Sequence, residues 1–123
     1  VANGGFNALN DKITNFHGIE ASLEEGVDLN SQTTLDGVVN AIANNPYKRG
    51  YGGVGPGHNT YLKTLLSAPT GIGNYPYVSI FPVCAFVYMC VAFGYSVNGC
   101  AVKFIHKNYG GTTWYQTGWM NYA

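Results

Sequence analysis

The stretch YVSIFPVCAFVYMCVAFGYSVNGCAV, residues 77–102, contains no Asp, Glu, Lys or Arg and decides the fold. It is long enough to cross a bilayer as a helix, but it is rich in β-branched and aromatic residues, which favour strands. Pro82 and Gly94 would also interrupt a spanning helix. We therefore expect buried strands over Tyr77–Phe81 and Val83–Phe93 in place of a transmembrane helix.

A hairpin turn is predicted just beyond these strands, at Asn98-Gly99. Asn-Gly is the preferred pair in two-residue β-hairpins, since both positions need a positive φ. A hairpin closed at this pair places Phe93 opposite Phe104. The alternation also puts Lys103 and Lys107 on one side of the sheet, which we expect to be hydrated.

A second reversal is predicted at Gly110-Gly111, because paired glycines favour turns. Residues 112–116 can then pair back as another strand, and residues 119–122 can extend it. The C-terminal part is therefore predicted to be an antiparallel β-meander of three to four strands.

Amphipathic helices are predicted ahead of the meander. Apolar residues recur at helical spacing in residues 5–17, as Phe6, Leu9, Ile13 and Phe16, and again over residues 35–42. Thr33 and Asp36 resemble a capping box for the second helix. A shorter helix is expected over residues 59–67. The predicted fold is α+β, with two or three N-terminal helices packed on the C-terminal meander.

The charges divide this single predicted domain, residues 1–123, into two parts. Residues 1–47, the acidic helical part, hold all six acids against Lys12, whereas residues 48–123 hold five basic residues and no acid. Residues 48–58 are predicted to be a Gly-rich hinge without regular structure, and residues 59–123 form the basic, mostly β part. The net charge is zero, so no electrostatic field favours nucleic acid as a partner.

The glycines at 50, 52 and 55 match the spacing of a dinucleotide-binding fingerprint. That fingerprint requires an acidic residue about 20 positions later to hold the ribose. The last acid in this chain is Asp36, so we exclude dinucleotide binding and expect no cofactor.

Composition favours an extracellular or particle-associated protein. Only 10% of the residues are charged, so solubility depends on neutral polar side chains. The three cysteines, Cys84, Cys90 and Cys100, permit one disulfide with one thiol left over, or three buried thiols. The odd number argues against a disulfide scaffold.

Catalytic and metal-binding patterns are sparse. Nucleophilic catalysis by a thiol needs a nearby base, and His106 is the only histidine near the cysteines in sequence, so Cys84 and His106 form the one candidate dyad. The histidines are scattered and no Cys-x-x-Cys or His-x-x-x-His spacing occurs, so we expect no metal site.

Five aromatic residues crowd the C-terminus among neutral polar ones: Tyr109, Trp114, Tyr115, Trp119 and Tyr122. Tyr and Trp are favoured in protein interfaces, and the absence of Arg and Lys among them disfavours nucleic-acid stacking. We take these five as the candidate binding surface.

Three functional hypotheses follow from the sequence. The leading one is a non-enzymatic secreted or particle-associated subunit that self-assembles, or binds another protein, through an uncharged aromatic β surface. The second is a secreted, membrane-active toxin or effector whose uncharged hairpin inserts into lipid. The third is a small hydrolase that uses Cys84 and His106.

Overall fold

The computed structural model describes residues 25–94 and 99–122. This part of the chain contains two helices and seven strands. In chain order they are Val27–Asp28 (β1), Leu35–Ala43 (α1), Gly50–Gly53 (β2), Tyr61–Leu66 (α2), Tyr77–Cys84 (β3), Val87–Phe93 (β4), Cys100–His106 (β5), Tyr115–Gln116 (β6) and Met120–Tyr122 (β7).

The strands form one mixed sheet in the order β1-β2-β3-β4-β5-β6, and β7 also pairs with β5. β1 and β2 are parallel, and the other pairings are antiparallel. The predicted α+β class is confirmed, and β3, β4 and β5 form an antiparallel meander. The sheet is wider than predicted because β1 and β2, from the N-terminal half of the chain, join it.

The connection between β4 and β5 is longer than the predicted two-residue turn. Phe93 pairs with Cys100 and not with Phe104, so the predicted register is wrong by four residues. The amide of Gly94 donates to the carbonyl of Gly99 at 3.1 Å and closes the hairpin there. Because a shift by an even number of residues preserves the alternation, every side chain keeps its predicted side of the sheet.

Part of the Gly-rich segment is a strand. The prediction that residues 48–58 lack regular structure is wrong for Gly50–Gly53, which pair with β1 on one side and β3 on the other. A Cβ on Gly50 would lie 2.9 Å from Cγ of Leu29 and 3.0 Å from Cγ1 of Ile42. Close packing therefore explains this glycine, and the sequence alone does not reveal that packing.

Both described helices begin at a threonine cap. Thr34 caps α1, because its hydroxyl accepts a hydrogen bond from the Gly37 amide at 3.0 Å; the predicted cap at Thr33 is off by one residue. Thr60 caps α2 in the same way, and this helix lies within the predicted residues 59–67. The helix predicted over residues 5–17 lies outside the described residues.

The two helices pack on the same side of the sheet, which we call the core side. The α1 residue Ile42 lies against Gly50, and the α2 residue Leu62 lies against Gly52. The apolar residues between helices and sheet are completely buried, which supplies most of the driving force for folding. They include Leu29, Val38, Ile42, Leu62, Leu66, Val78, Ile80, Cys90 and Ile105.

Candidate functional site

The opposite side of the sheet, which we call the outer face, presents four rows of side chains across the strands. From β3 to β7 these rows contain no Asp, Glu, Lys or Arg, whereas the second row continues through Tyr51 of β2 to Asp28 of β1. The pairing aligns Tyr77, Phe93, Cys100 and Tyr122 in the first row, Ser79, Val91, Val102 and Met120 in the second, Phe81, Met89 and Phe104 in the third, and Cys84, Val87, His106 and Tyr115 in the fourth.

The five predicted binding residues do not form one surface. Trp114 and Trp119 are partly buried and pack against the hydrophobic core. Tyr115 and Tyr122 lie on the outer face, opposite His106 and Cys100 respectively. Tyr109 is 88% exposed in the connection after β5, where its ring contacts Phe86 edge to face.

Trp119 ties the C-terminal segment to α2. Its indole Nε1 donates to the carbonyl of Ser67 at 2.8 Å and to that of Leu66 at 3.1 Å. The ammonium of Lys103 lies 4.9 Å from the centre of the indole ring, within the range of a cation–π interaction. These contacts give Trp119 a role in positioning the segment that carries β7.

Lys103 is buried on the core side, so the prediction that its side is hydrated is wrong for this residue. It is 2% exposed, and its ammonium donates to the carbonyl of Leu66 and, at 2.7 Å, to Oε1 of Gln116. Burial lowers the pKa of Lys103 to about 8, an effect that its strand neighbour Cys90 opposes. Burial also raises the pKa of the Cys90 thiol to about 12, which keeps this thiol neutral and unreactive.

Trp114 holds the other end of the C-terminal segment. Its ring meets that of Tyr88 edge to face at 5.7 Å, and the ammonium of Lys107 lies 4.9 Å from its centre. Both tryptophans thus anchor the segment, in which Tyr115, Met120 and Tyr122 lie on the outer side and Gln116 bonds inward to Lys103.

Three exposed side chains remain on the outer side of β6 and β7: Tyr115, Met120 and Tyr122, which we call the outer rim. Their exposed fractions are 50%, 43% and 57%. Their partners on β5 run from Cys100 to His106, so the rim extends about 20 Å along the sheet edge. Sequence reasoning missed Met120, although its alternation with Tyr122 would have placed it on the same side of β7.

Cys84 and His106, the candidate dyad, lie in the same row of the outer face with Val87 between them. They are two strands apart, which separates their backbones by about 10 Å. Cys84 is exposed at the end of β3, and the imidazole of His106 lies 5.9 Å from the ring of Tyr115. The structure shows no hydrogen bond between the thiol and the imidazole, so the dyad stays a hypothesis.

A cavity of about 340 Å³ opens near the start of β2, lined by Tyr47, Lys48, Arg49, Phe81 and Pro82. The guanidinium of Arg49 donates to the hydroxyl of Ser79 at 3.2 Å and lies 5.8 Å from the centre of the Phe81 ring. Burial lowers the pKa of Arg49, and the Glu25 carboxylate opposes that effect. The Arg49 side chain therefore lies against the outer-face residues Ser79 and Phe81, whereas the Lys48 ammonium donates to the carbonyl of Ala43 in α1.

Neither a metal cluster nor a membrane-spanning helix occurs in the part of the chain that the structure describes. Within residues 25–94 and 99–122, no three His, Cys, Asp or Glu side chains are grouped to hold a metal ion. In the same residues, no helix has the length and apolar character needed to cross a membrane. The uncharged tract that raised this question contributes β3 and β4 to the sheet.

Comparison with known proteins gives no relative from which the role of the outer rim could be inferred. No protein-family model, no curated protein and no solved structure matches this chain.

Proposed function

We propose that this chain is a non-enzymatic, extracellular or particle-associated subunit that assembles with a second copy of itself through the outer rim. The observation that carries the proposal is that Tyr115, Met120 and Tyr122, each about half exposed, lie on the same side of β6 and β7, two short strands that pair with β5 at different positions along it. Large apolar side chains gathered in this way on a protein surface are typical of interaction sites.

The chemistry of the rim suits a neutral protein partner. Tyr and Met are enriched in protein interfaces, where a ring or thioether supplies contact area and a phenol hydroxyl can still bond to a polar group. The rim residues and the residues aligned with them on β3, β4 and β5 include no Asp, Glu, Lys or Arg, so two rims can meet without like-charge repulsion between these residues. Three such residues act as anchors, and the surrounding face would supply the remainder of the roughly 800 Å² that each partner buries in a typical interface.

The geometry favours packing of side chains over pairing of strand edges. β6 has two residues and β7 has three, so the backbone at this edge offers few hydrogen bonds to an added strand. A two-fold interface, in which each rim packs on the other, satisfies both copies and closes the assembly. We therefore expect a dimer and no fibre.

Sedimentation velocity of the native chain and of rim variants tests this function. We expect the native protein to convert from monomer to dimer across the micromolar range. Tyr115→Lys combined with Tyr122→Lys should stay monomeric, since each interface would then bring like charges together. Tyr61→Lys is the matched control, because Tyr61 is an exposed tyrosine on α2, away from the rim.

Two results would overturn the proposal. One is a native protein that remains monomeric over the whole concentration range. The other is a Tyr61→Lys control that dissociates as readily as the rim variant, which would show that the added charge acts without regard to position.

A further inference from the structure

We propose that the cavity at the start of β2 binds a small organic anion with a flat apolar group, such as an aromatic carboxylate. The cavity lies on the β1–β2 side of the sheet, away from the rim on β6 and β7, and the inference is independent of the rim proposal. Its lining combines two basic side chains with two aromatic rings and a proline: Tyr47, Lys48, Arg49, Phe81 and Pro82.

The cavity forms where β2 and β3 stop pairing. Their pairing ends at Gly50 and Ile80, whereas β3 continues to Cys84 beside β4. The cavity, of about 340 Å³, is lined by residues 47–49, which lead from α1 into β2, and by residues 81–82 of β3. Small-molecule sites occupy roughly 300–1,000 Å³, so this space suits a small ligand.

The loop that forms one wall of the cavity is held in place by Asn45. Its side-chain oxygen accepts hydrogen bonds from the amides of Tyr47 at 2.9 Å and Arg49 at 3.4 Å, and its side-chain nitrogen donates to the carbonyl of Glu25 at 3.2 Å. Lys48 has a φ of 55°, a left-handed conformation that lysine rarely adopts. A wall that is already ordered lowers the entropy cost of binding a ligand.

The charges around the cavity favour an anion with a single negative charge. Lys48 and Arg49 are both basic, and none of the described side chains that line the cavity is acidic. The Glu25 carboxylate is near enough to act on the charge of Arg49. Two positive charges and one negative charge leave an excess of one positive charge, which a monoanion would balance.

The position of the Arg49 guanidinium explains why the ligand should also carry a flat group. The guanidinium lies 5.8 Å from the centre of the Phe81 ring and donates to the hydroxyl of Ser79 at 3.2 Å. A carboxylate near this guanidinium would bring an attached ring against Phe81 and Pro82. Ligand sites typically combine such apolar walls with a few polar groups that fix orientation.

Lys48 supplies the second positive charge from the loop. Its side chain is exposed, and its ammonium donates to the carbonyl of Ala43. An ammonium has three N–H donors on a flexible stem, so it can bond to an anion as well as to this carbonyl. The adjacent ring of Tyr47, which is 48% exposed, offers a further flat surface to the ligand.

Titration of the native protein, followed by the NMR signals of its backbone amides, tests the site with defined probes. We expect 2-naphthoate to shift the signals of Arg49, Gly50 and Phe81 with a Kd at or below about 1 mM, as is typical of a ligand of this size. The signals of β6 and β7 should not move. The uncharged 2-naphthamide and the ringless acetate should each bind at least about fivefold more weakly, because each lacks one of the two features.

Variants of the lining separate the contribution of charge from that of the ring. Lys48→Gln and Phe81→Leu should each raise the Kd for 2-naphthoate about threefold or more. Lys63→Gln is the matched control, because it removes one positive charge from α2 outside the cavity and should leave the Kd unchanged. The probe comparison uses the native chain, so it decides the question even if a variant fails to fold.

Four results would overturn the proposal. The first is the absence of saturable shifts near the cavity with 2-naphthoate. Equal affinity for 2-naphthamide would show an apolar patch only, and equal affinity for acetate would show unspecific anion binding. An equal loss of affinity in Lys48→Gln and Lys63→Gln would show that net charge acts without regard to position. Sedimentation of the rim variants has no bearing on these outcomes, so the two proposals can fail separately.

Discussion

At the scale of the residue, Lys103 links the core to the C-terminal segment. Its ammonium donates to the carbonyl of Leu66 in α2 and to Gln116 in β6, and it lies against the ring of Trp119. A buried ammonium is tolerated only where it is hydrogen-bonded, and these contacts meet that need. Through Gln116 and Trp119, Lys103 thus helps to fix the two strands whose other side carries the rim residues.

The lowered pKa of Lys103 predicts how stability changes with pH. Its pKa is about 8 in the folded chain and 10.5 without burial, so between these values the unfolded chain binds more protons. The free energy of unfolding should therefore rise with pH from about 8, by at most about 1.4 kcal/mol per pH unit. Urea unfolding of the native protein and of Lys103→Met, compared at each pH, isolates this contribution.

Cys90 limits the pH range over which the free energy of unfolding should rise. Burial holds its pKa at about 12 against an ordinary value of 9.0, so above pH 9.0 the unfolded chain loses a proton that the folded chain keeps. This effect lowers stability as pH rises and opposes the effect of Lys103. The rise should thus be clearest between about pH 8 and pH 9. If the native protein and Lys103→Met showed parallel curves there, our description of the buried ammonium would be wrong.

At the scale of the element, the start of α1 depends on one hydroxyl. Thr34→Ala removes the acceptor of the Gly37 amide and should lower the free energy of unfolding by about 1 kcal/mol. Thr33→Ala is the matched control and should change stability by less than about 0.5 kcal/mol. Thermal or urea unfolding measures both. A larger loss at Thr33 would place the cap where the sequence first suggested it.

The packing of β2 gives a second prediction at this scale. Gly50→Ala should destabilise the protein by roughly 1–3 kcal/mol, because its Cβ would press on the buried side chains of Leu29 and Ile42. Gly118→Ala is the control, since a Cβ there meets no atom within 4 Å. Equal unfolding midpoints for the two variants would show that β2 is not packed as described.

The elements differ in how far the sequence predicted them. Local signals were sufficient for α2, because a threonine cap and an apolar stripe lie within a few residues of each other. β2 was missed because its glycines are explained by tertiary contacts, such as those of Gly50 with Leu29 and of Gly52 with Leu62, which the local sequence does not show. The register of β4 and β5 was missed because the Asn-Gly signal specifies a turn but not the length of the connection around it.

The candidate site, like the fold, was predicted from the sequence only in part. The C-terminal aromatic cluster was visible in the sequence, but its separation into inward and outward residues was not. Trp114 and Trp119 find their partners Tyr88 and Leu66 far away along the chain, and only the fold reveals these contacts. Tyr115 and Tyr122 are left exposed as a result.

At the scale of the whole molecule, one sheet has two different sides. The core side is filled by α1, α2 and the inward tryptophans. The outer face has no Asp, Glu, Lys or Arg at its positions on β3 to β7, and the rim bounds it. Burial of such a rim against a second copy removes apolar surface from water and so lowers the free energy. The central claim is therefore that the rim is where copies of this chain meet.

Hydrogen exchange at low and high micromolar concentration tests that claim most directly. Dimer formation through the rim should slow exchange in peptides that cover β6 and β7, because association suppresses local opening. Peptides that cover β1 and β2, at the far edge of the sheet, should exchange equally at both concentrations. Equal exchange in β6 and β7 at the two concentrations, or slowing at the β1 edge instead, would contradict the account.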